Sequence, residues 1–442
     1  MKKAMLISVG TGRDGKDIAH AICFSIAQQN PDHIVFLVTD ISKKNTMPYI
    51  KSDIVLEAFT EGDAASERKT YQEIELSNYE NVDKVAVQCE NIIKALFKKG
   101  FKPQGIVIDY TSGTKSMSAG LVFAALNCQV GAIVYVTGDR DREGRVISGT
   151  EHSIAVQPNR IFVNLLFEEA IKLFNKYQYD ASIVTINKAK TLLADTEFLK
   201  KTEVLGILAT IYMKWDKFYI KEAFNLLNQL KRQEEFLKEW GIKNKVESNK
   251  EALYRETKNI FCEERMLDLL ENARRRGDIE HKYDDAMARL YRLCEYIAQY
   301  CVYKRGYYPK RDSKIDTSDI DIERLKKDLP DKYVKYEKYK KNGKIQLSLY
   351  ALYELLNDIG DPLGKFFVEN KNVSKKLLGL RNNSILAHGF NPVSKSAYEE
   401  MIKEMEKFVR LIVKNNFDKK QKEVRFPTLN YSAIAAGLFG GI

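Results

Sequence analysis

Residues 7–17 read "ISVGTGRDGKD", and this stretch decides the fold of the N-terminal part of the chain. An apolar run from Lys3 to Val9 predicts a buried strand, which leads into a glycine-rich turn and then a helical pattern. The spacing G-x4-G-K (10–16) is close to that of a phosphate-binding P-loop, but Asp17 stands where a P-loop requires Ser or Thr. The sequence therefore predicts a strand–loop–helix unit that holds phosphates, either as an altered P-loop or in a different way.

Strand and helix patterns alternate through the rest of the first 160 residues. Apolar runs such as "GIVIDY" (105–110) and "GAIVYV" (131–136) are typical of parallel strands buried on both faces. The fold class predicted here is α/β, an open and mostly parallel Rossmann-like sheet, with an antiparallel pair at its edge over 144–156. The predicted strands are Lys3–Val9, His33–Thr39, Tyr71–Leu76, Gly105–Thr111 and Ala132–Thr137, and the predicted helices are 16–29, 81–99 and 116–128.

From about residue 161 the apolar residues recur at helical spacing, which predicts an all-α remainder. A charged, tyrosine-rich stretch at 303–344 is poorly periodic and is interpreted as an insertion or long loop. The expected domains are 1–160, a helical connector 161–280, a second helical domain 281–420 and an apolar tail 421–442. The stretch 162–193 predicts a first pair of helices with a break near Tyr179 and Asp180. The helices predicted after this pair are 203–214, 218–239, 249–272, 281–304, 346–357, 372–387 and 395–415.

Charge is distributed unevenly over the 442 residues. The net charge is +11, and residues 1–160 carry none of it, so the C-terminal part is basic. A basic part indicates a polyanionic partner such as nucleic acid, although a solvated lysine-rich surface has the same composition. The six cysteines form no CxxC pair and no metal-ligand spacing, so we expect reduced thiols, a cytoplasmic protein and no bound metal. The longest apolar span, 118–136, is interpreted as a buried helix and strand rather than a membrane segment.

A second glycine-containing loop, "DYTSGTKS" (109–116), follows the predicted strand at 105–111. In an open parallel sheet, ligands bind beyond the carboxyl ends of strands, where the strand order reverses. Backbone N–H groups, two helix N-termini and Lys115 suit phosphates at this edge. A P-loop nucleotide triphosphatase would leave this second loop unexplained, and a tight turn with a capping Thr would leave the pair of loops unexplained.

The two loops resemble those of the CRISPR-associated Rossmann-fold (CARF) domains. "DYTSGTKSMSAGL" (109–121) is similar to their ligand-binding motif, and "SVGTGRDG" (8–15) is similar to their first-strand loop. Such domains sense cyclic oligoadenylates, which type III CRISPR complexes make on detecting foreign RNA. The ligand-binding residues that this resemblance implies are Gly10, Thr11, Gly12, Arg13, Asp14, Asp109, Thr111, Ser112, Gly113, Thr114, Lys115 and Met117.

A second candidate site lies in "LGLRNNSILAHGFNP" (378–392). Arg381 and His388 are seven residues apart, which on a helix is 20° short of two full turns, so both would share one face. We expect His388 in the last turn of that helix, where the carbonyl end favours a protonated imidazole. An Arg and a His on one face can cleave RNA without metal, because the ribose 2′-OH is an internal nucleophile. A His that caps a helix has the same local pattern.

This stretch resembles the HEPN ribonucleases, whose motif is Arg, a polar residue, a short spacer and His, as Arg381, Asn382 and His388 are here. "YDDAMARLYRLCEYIAQ" (283–299) resembles a helix of one branch of CARF–HEPN proteins. On it, Arg289 and Arg292 are possible RNA contacts, or members of ordinary ion pairs on a helix surface.

Taken together, the order of elements is similar to that of the CRISPR-associated CARF–HEPN ribonucleases. The resemblance implies a homodimer with a composite active site, a single-stranded RNA substrate and a cyclic tetra- or hexa-adenylate activator. It implies no cofactor, no metal and no membrane partner, and products that carry a 2′,3′-cyclic phosphate. The alternatives are a non-enzymatic CARF regulator and a P-loop-like NTPase.

Overall fold

A computed structural model describes residues 2–12, 15–64, 68–139, 142, 146–147, 149–156, 158–192, 196–311, 314–386 and 388–436. The chain forms two compact units. The N-terminal unit comprises Met1–Phe167 with Lys188–Asp195, and the helical unit comprises Glu168–Asn187 with Thr196–Ile442. The predicted domain limits at 160, 280 and 420 remain predictions.

The N-terminal unit is built on a seven-stranded sheet. Its strands are β1 Ala4–Ser8, β2 His33–Val38, β3 Thr60–Glu61, β4 Thr70–Glu75, β5 Ile106–Asp109, β6 Ala132–Thr137 and β7 His152–Val156. The spatial order is β3-β4-β2-β1-β5-β6-β7, and every pairing is parallel except that of β6 with β7. The predicted class, an open and mostly parallel α/β sheet, is confirmed.

Helices cover both faces of this sheet. They are α1 Lys16–Gln29, α2 Asp40–Asn45, α3 Met47–Lys51, α4 Val82–Lys98 and α5 Lys115–Asn127, with 3-10 turns at Ile54–Ala58 and Pro103–Gly105. Alternate residues of β1 enter two different cores: Leu6 packs in the core with α4 and α5, and Ile7 packs in the core with α1. A strand that is buried on both faces is a continuous apolar run, which is why the sequence predicted it correctly.

Three parts of the N-terminal unit differ from the prediction. Strand β3 was not predicted. Residues 40–58 were assigned no element, yet they form α2, α3 and a 3-10 turn, begun by a capping box between Thr39 and Ser42. The antiparallel pair expected at 144–156 is represented by the single strand β7, and residues 144, 145 and 148 lie outside the described residues.

The helical unit consists of short and medium helices. Helices α6 Pro158–Asn175 and α7 Tyr179–Leu192 contribute residues to both units. The others are α8 Thr196–Asp216, α9 Ile220–Gln229, α10 Glu234–Glu239, α11 Lys243–Lys258, α12 Glu263–Arg274, α13 Tyr283–Lys304, α14 Ile322–Asp328, α15 Val334–Glu337, α16 Leu349–Asp358, α17 Pro362–Glu369, α18 Lys371–Asn383, α19 Lys395–Val413, α20 Phe417–Val424 and α21 Tyr431–Ala435. Two-stranded ribbons are formed by β8 Lys310–Arg311 with β9 Lys314–Ile315, and by β10 Lys340–Lys341 with β11 Lys344–Ile345.

Local hydrogen bonds break a helix that the sequence predicted as continuous. The segment 249–272 belongs to α11 and α12, which are separated at Asn259. Asn259 has extended backbone angles, and its side-chain Oδ1 accepts a hydrogen bond from the N–H of Phe261 at 2.9 Å. An Asn side chain that bonds its own backbone competes with the helix, and apolar periodicity does not reveal that competition. Helix α17, between two predicted helices, was also missed.

The tyrosine-rich stretch 303–344 is not a long loop. It contains α14, α15 and parts of both small ribbons, and Tyr336 is fully buried. The hydroxyl of Tyr336 donates to Asp358 at 2.6 Å, and that of Tyr307 donates to Asp328 at 2.8 Å. Buried tyrosines with bonded hydroxyls make this stretch part of the helical core.

The C-terminal tail also has a structural role as far as residue 436. Leu429 is buried, and its N–H and C=O bond to the side chain of Asn175 at 2.8 and 2.9 Å. The ammonium group of Lys201, a side chain only 1% exposed, donates to the carbonyl oxygens of Ile434 at 3.2 Å and Ala436 at 2.7 Å and to Glu239. Among the helices described, none is both long enough and apolar enough to cross a membrane.

Replacing Lys201 by Ala should release the tail, because the carbonyl oxygens of residues 434 and 436 lose their buried donor. We expect a loss of about 2 kcal/mol in the free energy of unfolding by urea, and faster proteolysis after residue 425. The neighbouring Lys200 is exposed, so Lys200→Ala is the control and should change neither measurement. Equal behaviour of the two variants would contradict this role of Lys201.

Candidate functional site

The strand order places two loops side by side. Strand β1 lies between β2 and β5, so the chain leaves β1 towards one side of the sheet and returns at β5 on the other. The loops that follow β1 and β5 therefore meet at the carboxyl edge of the sheet, which is the topological switch point. These are the loops 10–15 and 109–116 that the sequence singled out.

Hydrogen bonds lock the two loops together. The N–H of Gly10 donates to Oγ of Ser112 at 3.1 Å, and that hydroxyl donates to the carbonyl oxygen of Ser8 at 2.5 Å. The Ser8 hydroxyl in turn donates to the carbonyl oxygen of Ser112. A Cβ atom at Gly10 would lie 2.6 Å from the backbone nitrogen of Gly113, so only glycine permits this approach.

A buried carboxylate accepts a backbone hydrogen bond from the second loop. Asp109 is fully buried at the end of β5, and its Oδ1 accepts a hydrogen bond from the N–H of Thr111 at 2.7 Å. The Thr111 hydroxyl accepts from the N–H of Val136 on β6 at 2.9 Å. Burial raises the pKa of Asp109 above its ordinary value, although the bonds from Thr111 favour the charged form.

The second loop ends at the N-terminus of helix α5. Thr114 caps the helix by accepting the N–H of Met117 at 3.2 Å, and its hydroxyl donates to the carbonyl oxygen of Tyr79 at 3.3 Å. Lys115, the first residue of α5, is exposed. The positive end of a helix and an exposed ammonium group together suit an anion. In contrast, helix α1 carries Asp17 in its first turn, where a P-loop would present a hydroxyl.

The predicted ligand residues fall into two groups in the structure. The exposed or half-buried ones are Gly10, Thr11, Gly12, Thr111, Gly113, Thr114 and Lys115. Asp109, Ser112 and Met117 are buried. Arg13 and Asp14 lie outside the described residues. The ligand-binding role of all these residues stays a prediction.

Sequence reasoning missed two neighbours of this site. The hydroxyl of Thr46 donates to the carbonyl oxygen of Gly10 at 2.7 Å, from a segment that was assigned no element. The ring of Tyr110, which is half-buried, stacks on Tyr135 of β6 with centroids 5.4 Å apart and planes 24° apart. Tyr110 stood inside the quoted motif, and the neighbouring parallel strand was predicted, so this pair could have been found.

The second site is held by a turn, and the prediction that His388 lies in the last turn of a helix is wrong. Helix α18 ends at Asn383. The chain then folds back, and the N–H of His388 donates to the carbonyl oxygen of Asn382 at 3.1 Å. A Cβ atom at position 389 would lie 2.1 Å from the carbonyl oxygen of Asn383, so Gly389 is required for the return. The glycine after the histidine was the available signal.

This return brings the backbone of His388 next to the residue that follows Arg381, although helical periodicity does not. Arg381 itself lies in α18, and its side chain is outside the described residues. The side chains of Asn382 and His388 are exposed. A cavity of about 320 Å³ adjoins the turn; it is lined by Lys376, Gly379, Leu380, Asn383, Asn391, Pro392 and Val393.

Exposed apolar residues lie on both sides of His388 in the sequence. Ile385 is 66% exposed, Leu386 is 47% exposed and Phe390 is 87% exposed. Adjacent exposed apolar residues of this size are typical of a surface that another molecule covers.

Arg289 and Arg292 both lie on helix α13 and both have partners. Arg289 Nε donates to Oδ1 of Asn272 at 3.1 Å, and its Nη1 donates to the Asp285 side chain at 3.2 Å. Arg292 pairs with Glu295 at 3.4 Å, which is the i,i+3 ion pair that the sequence offered as one interpretation. Within the described part of the chain, no group of three or more His, Cys, Asp or Glu side chains could hold a metal ion.

Comparison with known proteins gives a family match for part of the chain and a likeness of fold over nearly all of it. Residues 254–412 match the family model described as "Csm6 HEPN domain". The fold is similar to that of Enterococcus italicus Csm6, solved bound to cyclic hexa-2′-fluoro-hexa-dAMP, with a TM-score of 0.58 and 14% identity over 96% of this chain and 98% of that one. No curated protein matches by sequence. The resemblance to CRISPR-associated CARF–HEPN proteins is confirmed.

Replacing Asp109 by Asn tests the buried carboxylate. The amide oxygen can still accept the N–H of Thr111, and the cost of burying a charge disappears. A carboxyl whose pKa is raised on folding is most favourable to the native state at low pH, and that contribution is lost as pH rises from the ordinary pKa of about 3.9. We therefore expect Asp109→Asn to be at least as stable as wild type at pH 7, with an advantage that shrinks towards pH 4.

Urea unfolding between about pH 4 and pH 8 measures this difference. Asp109→Ala is the matched variant, because it removes both the charge and the acceptor, and it should be less stable than wild type. A pH-independent loss of stability in Asp109→Asn would contradict the buried-carboxylate account.

Proposed function

We propose that this CARF–HEPN chain is an endoribonuclease of type III CRISPR antiviral defence that acts in the cytoplasm and is activated by a cyclic oligoadenylate. The observation that carries the proposal is that the Csm6 HEPN match spans the turn in which His388 folds back onto Asn382. The proposed catalytic residues are Arg381, Asn382 and His388.

The activator is proposed to bind to the N-terminal unit, at the two hydrogen-bonded loops 10–15 and 109–116. Backbone N–H groups of loop 10–15, the N-terminus of α5 and Lys115 would face its phosphates. Thr11, Thr111 and Thr114 are half-buried at the same edge. Thr11 and Thr111 would donate their hydroxyl protons to the ligand, whereas the Thr114 hydroxyl caps α5 and donates to Tyr79. Asp109, Ser112 and Met117 are proposed to shape the loops from the interior instead of contacting the ligand. The similar Csm6 structure was solved with cyclic hexa-2′-fluoro-hexa-dAMP bound, which supports a cyclic oligonucleotide as the ligand.

The chemistry proposed for the turn needs no metal. The ribose 2′-OH attacks the adjacent phosphorus, and the bond from phosphorus to the 5′-oxygen breaks. His388 takes the proton of the 2′-OH or gives a proton to the leaving 5′-oxygen, and Arg381 stabilises the charge that grows on the phosphoryl oxygens. Asn382 would orient the RNA by hydrogen bonds. The products carry a 2′,3′-cyclic phosphate and a 5′-hydroxyl.

A homodimer is part of the proposal. His388 is exposed among Ile385, Leu386 and Phe390, and a lone copy would leave these apolar side chains in water. A second copy that packs on this turn across a two-fold axis would cover them and would bring two Arg/His sets together. Single-stranded RNA would then be cut in the cleft between the two turns.

Replacing His388 by Ala should lower the rate of RNA cleavage by about 10²- to 10⁴-fold, since one proton-transfer group is lost. The temperature of thermal unfolding and the affinity for the ring ligand should stay unchanged, because His388 is an exposed side chain outside the N-terminal unit. Cleavage by wild type should persist in EDTA. His152, which is exposed on β7, supplies the control variant His152→Ala. Near wild-type cleavage by His388→Ala, or loss of cleavage in EDTA that is restored by magnesium, would contradict the mechanism.

Replacing Lys115 by Ala should weaken ring binding by about 1–3 kcal/mol, as expected for the loss of a charged donor to phosphate. The ring concentration that gives half-maximal cleavage should rise in proportion, with the same maximal rate at saturation. A hundredfold activation needs about 2.7 kcal/mol of differential binding between the two states of the dimer.

Cleavage assays with titrated cyclic tetra- and hexa-adenylate measure this coupling. Lys102, an exposed lysine of the same unit, gives the control variant Lys102→Ala. If wild type cleaves equally fast without any ring, and Lys115→Ala binds none yet cleaves as well, the sensor does not regulate the nuclease.

A further inference from the structure

Two cavities of the helical unit join into one groove. The larger has a volume of about 530 Å³ and lies between the end of α8, α12 and α13, and the smaller has about 410 Å³ and lies at the start of α9. Both are lined by Phe218 and Arg265, so they are continuous. Each is large enough for one nucleotide-sized ligand. We call this pair of cavities the basic groove; the turn at 381–392 does not line it.

Cations dominate the lining of the basic groove. Four arginines and one lysine line the larger cavity, whereas Asp216 is its one acidic lining residue among those described. The smaller cavity adds Lys221 and Glu222. Glu222 is paired with Lys214 at 2.8 Å, and Asp216 is paired with buried Arg275 at 2.8 Å. The cations have carboxylate partners too, among them Asp285 for Arg289 at 3.2 Å and Glu295 for Arg292 at 3.4 Å. The lining itself is richer in cationic than in acidic side chains, and a phosphate would share or replace these partners.

A buried network fixes the arginines of the larger cavity. Asp216 Oδ1 accepts hydrogen bonds from Arg275 Nε at 2.8 Å and from Asn272 Nδ2 at 3.0 Å. Asn272 Oδ1 accepts from Arg289 Nε at 3.1 Å, and Asp216 Oδ2 accepts from Arg276. Arg275 and Arg276 begin a π-helical turn, Arg275–Ile279, a feature that is frequent at functional sites. These guanidinium groups are held in place before any ligand arrives, which lowers the entropic cost of binding.

Two donor atoms of these arginines have no acceptor in the described part of the chain. Arg276 Nε is buried without a hydrogen-bond partner. Arg289 Nη2 belongs to a side chain that is 32% exposed, and among the described residues its bonds to Asn272 and Asp285 use only Nε and Nη1, so Nη2 can donate to a ligand. For Arg276 Nε the case is different. A buried donor without an acceptor is unfavourable and is rare in native proteins. Phosphate oxygens are the acceptors that arginine donors bind most strongly.

Aromatic and cationic residues lie close together in the segment that lines the smaller cavity. The segment "KFYIK" (217–221) contributes Phe218, partly exposed, and Tyr219, 52% exposed, with the Lys214 ammonium group 4.9 Å from the Tyr219 ring centre. Phe218 has φ of +60°, which is uncommon for a bulky residue. The turn that ends α8 holds this conformation, since Tyr219 N–H donates to the carbonyl oxygen of Lys214 at 2.9 Å. Aromatic platforms between cations are typical of surfaces that bind single-stranded nucleic acids.

We propose that the basic groove binds single-stranded RNA, with phosphates on Arg276, Arg289 and Arg292 and bases stacked on Phe218 and Tyr219. Two joined cavities, each with an aromatic residue, fit a strand of linked nucleotides better than one free nucleotide. The identity of the strand as substrate rests on the proposed function. The groove would hold RNA that flanks the cleaved bond, so its loss would raise KM more than it lowers kcat.

The test measures binding of a fluorescent 2′-O-methyl RNA of about ten nucleotides to the full chain by anisotropy, because this RNA lacks the 2′-OH and cannot be cut. Arg292→Glu should weaken binding by about tenfold or more. It should also reduce the slope of log Kd against log salt by about 0.7 for each phosphate that the variant no longer neutralises. Tyr219→Ala, at an exposed position that folding does not require, should weaken binding by about five- to tenfold.

Arg410→Glu is the matched control. Arg410 is 46% exposed, against 47% for Arg292, and it also makes a helix-surface ion pair and lies over an aromatic ring. It should change RNA binding by less than about twofold. Equal losses in Arg292→Glu and Arg410→Glu, wild-type binding by Tyr219→Ala, or displacement of RNA by about 1 mM ATP would overturn the proposal.

The readout separates this proposal from the proposed function. If the groove variants lose RNA binding but wild type never cleaves RNA, the groove stands and the nuclease assignment fails. If wild type cleaves RNA and the groove variants bind and cleave it as well as wild type does, the groove proposal fails alone.

Discussion

The position of β1 between β2 and β5 is the constraint on which the N-terminal unit depends. Parallel pairing on both edges and cores on both faces bury this strand completely. Because the chain departs to opposite sides from β1 and β5, the two loops that follow them must meet. The bonds between Ser8 and Ser112 then require glycine at position 10. Backbone topology thus creates the candidate ligand site before any side chain contacts a ligand.

Sequence patterns predicted the parts of the fold that depend on burial. Strands β1, β2, β4, β5 and β6 and helix α1 were found because their apolar runs and periods report which faces are covered. The two-residue strand β3 was not predicted. Residues 40–58, the break at Asn259 and the end of α18 at Asn383 were missed. Each of these is set by local hydrogen bonds from capping side chains or by a glycine at a close approach, and such features leave almost no periodic signal.

The candidate ligand motif could be located from the sequence, but the sequence did not show which of its residues are exposed and which are buried. Thr111 and Lys115 reach the surface, whereas Asp109 and Met117 are interior. A sequence motif gives the order of residues along the chain, whereas the burial of each motif residue depends on strands β1 and β6, which are distant in sequence. The basic groove shows the same limit: Arg289 and Arg292 were singled out on one helix, but Phe218 and Arg276 reach the same groove from other elements.

The turn between Asn382 and His388 has a consequence for sequence divergence. On a helix, two residues share a face only at spacings of three, four or seven, so a single insertion would rotate one of them away by about 100°. A turn that is closed by backbone hydrogen bonds between its two ends obeys no such period. Related chains can therefore gain or lose a residue between the arginine and the histidine and still present the same two groups, and an alignment that demands a fixed interval would overlook them.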